Sequence, residues 1–464
     1  MYKNKKIHFE VSERKILLKI FDIFFVFVSL FFVSTFFDFK YFTFSSSNYH
    51  WVLVLALYIN VFGSVFEMYN LQVASSQFQV VRSIIITTFT TVIIYLLTPI
   101  YTPVLPSNRL QIVIFFAAIF FSLLGWRIFY VKFLASHRFV KNAVLVCDKD
   151  QLDELVLGLL NADPHYKIIG YVNSDGIEEK ASIKSAIISI SINNLENYAR
   201  NNFVSEIVIA SQKTDGITIN LYNQLINLLE NGFIIKEYTQ VYEEITQRIP
   251  VHYMSRDFYR YFPFSRSNQN QFYLSLVRIF EILFSFIGFI VGLLFIPFIS
   301  IGNLIGNRGS LFYSQERIGK NGSIFKIYKY RTMVHNAETN GAVFTTVNDS
   351  RITPFGKFLR KTRLDEFPQF LNILKGDMGI IGPRPERPVI VSEIAEVMPF
   401  YETRHVMKPG LTGWAQVNYS YGDSIEDSLV KLQYDLYYIK HRSIFLDIDI
   451  IIKTFSTVLF YRGQ

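Results

Sequence analysis

Cysteine is almost absent: the 464 residues contain one, Cys147. That excludes an intramolecular disulfide and fits a reducing, cytosolic face. Cys147 lies in the apolar run "AVLVC", where inert packing is the simpler reading. Eight histidines are scattered without metal-ligand spacing, so the sequence shows no zinc site. Charged residues make up only 18%. No internal repeat or low-complexity segment stands out. The formal net charge of +8 suits anionic headgroups and phosphorylated ligands as well as nucleic acid, and does not choose among them.

What the chain has in excess is hydrocarbon. Half of it is hydrophobic and 17% aromatic, with 46 phenylalanines, the composition of a membrane protein. Four apolar stretches fill the first part, at roughly 16–37, 51–66, 79–100 and 110–134. A helix needs about 20 such residues to cross a bilayer. No small-residue cleavage site follows the first stretch, which therefore reads as an anchor. Lys3, Lys5, Lys6, Arg14, Lys15 and Lys19 crowd its N-terminal side, and Arg127, Lys132, Arg138 and Lys141 surround the end of the fourth. The loops between carry few basic residues, so both ends of a four-helix transmembrane unit (1–140) are expected on the cytoplasmic side.

From about 141 to 240 short β-rich runs alternate with helical patterns, which predicts a small parallel α/β domain of Rossmann-like type. The turn after its first strand is "CDKDQL". Asp148 and Asp150 would repel a pyrophosphate where a dinucleotide site needs glycines. A degenerate, non-catalytic domain is expected. Residues 241–277 read as a polar, aromatic linker. A fifth apolar stretch follows at 278–300, yet Arg308, Arg317, Lys320, Lys326, Lys329 and Arg331 come straight after it and favour the cytoplasmic side. Pro297 removes a helical hydrogen bond near the end of that stretch. A re-entrant helix broken there reconciles charge with hydrophobicity; an ordinary kinked span is the alternative.

Acids and arginines gather beyond that point. "FYSQERIGKNGSIFKIYKYRTM" reads as strands with turns at Gly319 and Gly322. Lys329 and Arg331 would share one strand face, which suits a diphosphate or a merely solvated face. In "RITPFGKFLRKTRLDEFPQFLNILKGDMG", Thr353 and Pro354 start one helix. A second is expected over about 366–375, with Asp365 as N-cap and Gly376 as the stop. Arg360 and Arg363 precede the adjacent carboxylates Asp365 and Glu366, and Arg384 follows in the rigid "GPRPERP" loop. Arginines in such a nest suit phosphate. The carboxylates suit Mg²⁺ or attack on phosphorus. A salt-bridge network remains the alternative.

"SQERIGKNGSIFKIYKYRTM", "RITPFGKFLRKTRLDEFPQFLNILKGDMGIIGPRPERP" and "KPGLTGWAQV" resemble the motifs of the bacterial sugar transferase family, the polyprenyl-phosphate phosphoglycosyltransferases that begin capsule and exopolysaccharide synthesis. The layout in front resembles the long form of that family, the undecaprenyl-phosphate glucose or galactose phosphotransferases. The resemblance implies a monotopic α+β catalytic domain with a re-entrant membrane helix over 278–464. It also implies transfer of a sugar phosphate from a UDP-sugar to undecaprenyl phosphate at the cytoplasmic face of the bacterial inner membrane, with release of UMP. Asp365 would be the nucleophile and carry Mg²⁺, and Glu366 would assist with metal or proton. Arg360 and Arg384, with Lys329, Arg331 and Arg363 beside them, would hold phosphates. Membrane lipid is an implied partner, nucleic acid is not, and a homodimer is left open. Two departures stand out. Ile296 replaces the usual Ser before the helix-breaking proline, and Glu281 replaces an Asp three residues after Arg278, a spacing that still permits an ion pair. The competing class is a membrane scaffold or nucleotide sensor. The C-terminal "SIFLDIDIIIKTFSTVLFYRG" reads as an interfacial helix, with core packing as its alternative.

Overall fold

A computed structural model of the chain describes residues 11–37, 39–69, 74, 77–134, 141–160, 163, 166–174, 187–210, 218–251, 268–334, 337, 349–398, 400–419 and 424–459. Lys3, Lys5, Lys6 and Arg138, counted above for orientation, lie outside them, as does 252–267 of the expected linker. The chain divides into two units, Met1–Thr246 and Gln247–Gln464.

The first unit opens with the apolar helices α1 (Val11–Phe36), α2 (Tyr49–Val65), α3 (Gln77–Leu96) and α4 (Leu110–Phe129). α4 packs against both α1 and α3, and α3 against α2. Glu13–Phe36, Ser46–Val65 and Leu110–Lys132 are long and apolar enough to cross a membrane, whereas Val80–Leu96 is a shorter apolar helix. Phe21 and Phe25 of α1 each stack on Trp126 of α4 at 5.0 Å. Arg127 donates through Nε and Nη2 to the carboxylate of Asp22 at 3.1 and 2.6 Å, with both side chains fully buried. Arg14 donates to Asp163 at 3.0 Å. An isolated charge is costly in such surroundings, so these pairs specify which segments meet. Two of the cations that argued for orientation are thus neutralised by buried acids, and the charge asymmetry rests on the others.

Behind the helices lies a five-stranded parallel sheet in the order β3-β2-β1-β4-β5. Its strands are β1 (Lys141–Cys147), β2 (Tyr166–Asn173), β3 (Ile188–Ser189), β4 (Glu206–Ile209) and β5 (Ile234–Glu237). Helices α5 (Leu152–Leu160), α6 (Leu195–Asn201) and α7 (Ile219–Glu230) connect them. The run from Ala143 to Cys147 is wholly buried, as a central parallel strand requires. Burial, aided by the charge of Asp148, pushes the Cys147 thiol up to about 12, so it packs as an inert side chain. After β1 the buried Asp148 accepts a hydrogen bond from the Ser174 hydroxyl. An acidic, internally bonded turn therefore stands where a dinucleotide fold places glycine. Helix α8 (Tyr238–Thr246) closes the unit, with the Tyr238 hydroxyl donating to the Leu155 carbonyl at 3.0 Å.

The second unit takes up the chain at once. Ile249 and Val251 lie in its core beside Trp414, whose indole N–H donates to the Gln247 carbonyl at 3.2 Å. The described parts of 241–251 are thus a helix and a packed strap. Helix α9 (Gln271–Gly306) continues past Pro297. Glu281, Ser285, Gly292, Ile299 and Asn303 form its buried stripe, while Phe280, Leu283, Phe284, Ile287, Leu294 and Phe298 are exposed on the rest of its surface. Glycines notch the buried side: Gly288 lies against Phe370, Gly292 against Phe367, and Gly302 and Gly306 against Phe355.

After α9 come the antiparallel hairpin β6 (Phe312–Ile318) and β7 (Ile324–Tyr330), then helices α10 (Pro354–Lys361) and α11 (Gln369–Lys375). Strands β8 (Gly379–Ile381) and β9 (Gly410–Thr412) pair in parallel, with helix α12 (Pro388–Val397) between them in sequence. Gly410 meets the backbone of Gly382 so closely that a Cβ would collide with it, which accounts for the glycine in "KPGLTG". Helices α13 (Trp414–Asn418), α14 (Ile425–His441) and α15 (Ile444–Leu459) complete the unit. α15 turns Asp447 and Ile450 inward and leaves Phe445, Ile448, Ile451 and Phe455 exposed, so the packing and interfacial readings each describe one face.

Candidate active site

The adjacent carboxylates are presented by a tight turn that the sequence did not reveal. Arg363 adopts φ 57 and ψ 14, the left-handed region, and launches a 3₁₀ turn over Leu364–Glu366. Helix α11 begins only after Pro368. Asp365 is therefore inside the turn and is not the N-cap expected above; its Oδ1 is buried without a hydrogen-bond partner. The flanking signals do hold. The Thr353 hydroxyl accepts from the Gly356 N–H at 2.9 Å with Pro354 in the first turn of α10, and Gly376 ends α11 at φ 93.

Three cations from three segments converge on one oxygen, Oε1 of Glu366. Lys329 Nζ of β7 lies 3.5 Å away, Arg384 Nη2 3.6 Å and Arg363 Nη1 3.7 Å. Asn372 of α11 fixes the approach of β7. Its amide donates to the Lys326 carbonyl at 2.7 Å and its Oδ1 accepts from the Tyr328 N–H at 3.1 Å. The amide thereby substitutes for a neighbouring strand beside Lys329. Arg360 Nε donates to the Thr332 hydroxyl at 2.9 Å and acts on Asp365 through its charge. Arg331 does not join this group. β7 ends at Tyr330, and the Arg331 guanidinium donates to the carbonyls of Ser310 and Asn307 at 2.8 and 3.1 Å. The shared strand face expected for Lys329 and Arg331 gives way to separate tasks, one at the acids and one at the end of α9.

The two acids sit in opposite electrostatic surroundings. Burial, then the charge of Glu366, raises the Asp365 carboxyl to about 6 against the pull of Lys329, Arg360 and Arg363. Burial also opposes charge on Glu366, but Lys329, Arg384 and Arg363 together outweigh it and hold that carboxyl below the ordinary range. At neutral pH the arrangement offers one firmly ionised acid that neutralises the cations, and a second with an unengaged oxygen. A carboxylate of the second kind can attack an electrophile or bind a cation.

Residues of four further elements brace the site from further away. Arg278 pairs with Glu281 at 3.3 Å and donates to the carbonyls of Ile373 and Leu374 at 2.8 and 3.0 Å, holding the end of α11. The Glu281 Oε1 accepts from the Ile380 N–H at 3.2 Å. The replacement of Asp by Glu in this pair therefore leaves the contact intact. Arg317, Arg404 and Asp435 brace the Arg384 loop; in the sequence none of them stands out as part of the site, and Arg317 figures there only as a cation favouring the cytoplasmic side. Their partners lie up to 68 residues away, beyond the reach of any local pattern.

Comparison with known proteins agrees with the motifs. Residues 272–461 match the family model described as bacterial sugar transferase. The chain is 46% identical over 151 residues to the UDP-N-acetylgalactosamine-undecaprenyl-phosphate N-acetylgalactosaminephosphotransferase of Aeromonas hydrophila, covering 32% of this chain and 36% of that protein. It is 43% identical over 164 residues to the UDP-glucose:undecaprenyl-phosphate glucose-1-phosphate transferase of Xanthomonas campestris pv. campestris, covering 35% and 34%. The chain thus spans only about a third of the length of these two relatives. The uncharacterized sugar transferase EpsL of Bacillus subtilis is 37% identical over 157 residues, 33% of this chain and 72% of EpsL. With motifs, family match and a relative covered over most of its length in agreement, the chain belongs to the bacterial sugar transferase family.

Proposed function

We propose that this protein transfers a hexose-1-phosphate from a UDP-sugar, UDP-glucose or UDP-galactose, to undecaprenyl phosphate, releasing UMP, at the first membrane step of a surface polysaccharide. The observation that carries the reading is the buried Asp365, with its unengaged Oδ1, beside a Glu366 that binds three cations. In the first step the Asp365 carboxylate attacks the β-phosphorus. The bond from that phosphorus to the bridging oxygen breaks, and UMP leaves with the electron pair. In the second step a phosphate oxygen of undecaprenyl phosphate attacks the same phosphorus, forming the lipid diphosphate sugar and freeing Asp365. Lys329, Arg363, Arg384 and Arg360 hold the phosphate oxygens and stabilise the charge that builds on them.

The donor set suits Mg²⁺. Asp365 Oδ1 is buried and unpartnered, and this ion commonly takes one or two carboxylates together with substrate phosphates. Among the described residues no cluster of three or more His, Cys, Asp or Glu forms a cage, so substrate oxygens would complete the coordination. When bound, the ion supplies charge neutralisation on the diphosphate.

The same reading places the unit on the cytoplasmic face of the inner membrane with α9 re-entrant. Supporting this, α9 touches one polar body on both sides of Pro297. Arg278 and Glu281 bind near α11 and β8 at one end, and the Asn307 side-chain amide donates to the Arg331 carbonyl at 2.9 Å at the other. A helix that crossed to the far side could not keep both ends against the same catalytic body.

The test is nucleotide release. Purified protein is mixed with Mg²⁺, undecaprenyl phosphate and UDP-glucose, UDP-galactose or UDP-N-acetylgalactosamine. UMP from wild type, none from Asp365→Asn, and a sugar-phosphate mass adduct on the Asp365 peptide without acceptor are the expected results. Release of UDP would replace the reaction by simple glycosyl transfer. No nucleotide from any donor, in folded protein, would remove the reading.

A further inference from the structure

We propose that Arg404 and Asp435 are positioning residues for Arg384, and that through them the C-terminal part of the chain acts on the reaction. This rests on the reaction proposed above. The backbone of the Arg384 loop is held at four successive carbonyls. Pro383 accepts from the Gly410 N–H at 2.9 Å, and Arg384 from Arg404 Nη2 at 3.0 Å. Pro385 accepts from Arg317 Nη1 at 3.1 Å, and Glu386 from the Ile318 N–H at 3.0 Å. Pro383 and Pro385 have no N–H to satisfy, and their rings restrict the torsions on either side of Arg384. A backbone fixed in this way directs the Arg384 side chain, 41% exposed, at Glu366.

Arg404 is unlike the other contacts of the loop. It is 3% exposed and Asp435 is 2% exposed. Its Nη2 bridges the Arg384 carbonyl and Asp435, the latter at 2.7 Å, while Nη1 donates to the Tyr401 hydroxyl at 2.5 Å. A buried ion pair is a poor device for stability alone, because apolar residues of equal volume usually serve as well or better. What the guanidinium provides here is geometry: a planar fork that ties one carbonyl to a carboxylate on α14 and a phenol on the turn over Tyr401–Val406. Loss of either partner lets the Arg384 carbonyl shift. A misplacement of about 1 Å in a group that orients substrate lowers rate by about 100-fold.

A double-mutant cycle in the full chain tests this. Asp435→Asn keeps an oxygen acceptor but removes the charge; Arg404→Lys removes the fork; each is made alone and with Arg384→Ala. The readouts are kcat and KM for donor cleavage and the thermal midpoint. Asp435→Asn is expected to lower kcat/KM about 10- to 100-fold in the wild-type background and by less than about threefold once Arg384 is already Ala. Equal losses in both backgrounds would overturn the proposal, since a merely structural defect ignores the identity of residue 384. Where Arg404→Lys does not fold, the Asp435→Asn cycle decides alone. Should wild type cleave no donor, the reaction reading fails by itself, and the same cycle is read on the affinity for inorganic pyrophosphate. Coupling to residue 384 there supports the positioning role; additivity, or no binding by wild type, ends it.

Discussion

Replacing Asp365 by Asn should stabilise the protein while ending turnover. Asp365 is 7% exposed, and burial together with the charge of Glu366 holds its carboxyl at about 6. In the unfolded chain an aspartate titrates near ~3.9. Between these values the folded state binds more protons than the unfolded one, so the group's contribution to stability is lost as pH rises through the folded value. Each pKa unit is worth about 1.36 kcal/mol, which sets a ceiling of about 3 kcal/mol of destabilisation at pH 7.5. Asn has the shape of the protonated acid and escapes that cost. At roughly 2–4 °C per kcal/mol for a domain of this size, the ceiling is a rise of about 6–12 °C in Tm. At pH 4.5 most of the wild-type carboxyl is protonated when folded, and the advantage of Asn should shrink below about 1 kcal/mol. Thermal unfolding of detergent-solubilised wild type and variant at the two pH values is the assay. A lower Tm for Asn, or a gain of the same size at both pH values, would refute the electrostatic account of Asp365.

Glu366→Gln should behave in the opposite sense. Its carboxyl is held down by Lys329, Arg384 and Arg363, so it stabilises above the unfolded carboxylate range and loses that contribution as pH falls. Allowing for the partial exposure of the arginines, the variant should lose about 2 kcal/mol at pH 7.5, and the deficit should fade in acid; an unchanged midpoint would count against the convergence on Oε1. Arg363→Gly removes a Cβ from the left-handed region, a relief of about 1–2 kcal/mol, together with one site cation. Its Tm should stay within a few degrees of wild type while UMP release drops at least about tenfold, and a large fall in Tm would mean that the backbone there is not strained. Gly302→Leu forces a side chain into Phe355 and should cost about 1–3 kcal/mol through overpacking. Ile301→Leu, on the exposed side of α9, is the control; equal thermal midpoints would mean that α9 does not pack on α10 as described.

How much of this was legible depended on the range of the interaction that decides each feature. The start of α10 at Thr353-Pro354 and the stop of α11 at Gly376 are written within a few residues, and both occur where capping rules put them. The alternation that predicted a parallel sheet is likewise local, and the sheet is there. The turn at Arg363 was not legible, because nothing in an arginine announces a positive φ; the surrounding packing imposes it. Capping rules consequently point to Asp365 as an N-cap, whereas it is a buried carboxylate inside that turn. Arg331 illustrates the limit of strand periodicity: two residues sharing a face in an ideal strand part company when the strand ends between them. Arg404 and Asp435 are 31 residues apart, and only the fold brings them together.

The lengths of the ion pairs separate two uses of charge in this chain. Arg127–Asp22, Arg404–Asp435 and Arg14–Asp163 close at 2.6, 2.7 and 3.0 Å, within hydrogen-bond range, and all are buried. They hold elements together, and breaking any of them strands a charge. The three contacts to Glu366 are longer, 3.5 to 3.7 Å, and share a single acceptor oxygen. Three donors cannot all reach good geometry on one atom, so each is held by field more than by a formed hydrogen bond. A diphosphate entering the nest would offer several oxygens in place of one. The contacts of Lys329, Arg363 and Arg384 to Glu366 could then give way to shorter ones with phosphate, while Glu366 stays as counter-charge. If the proposed function holds, Glu366 would serve the free protein as a placeholder for substrate, which would account for an ionised acid at the centre of a site proposed to bind an anion. It would also account for its neighbour being kept out of the same nest: an Asp365 paired to those cations would have no free oxygen with which to attack.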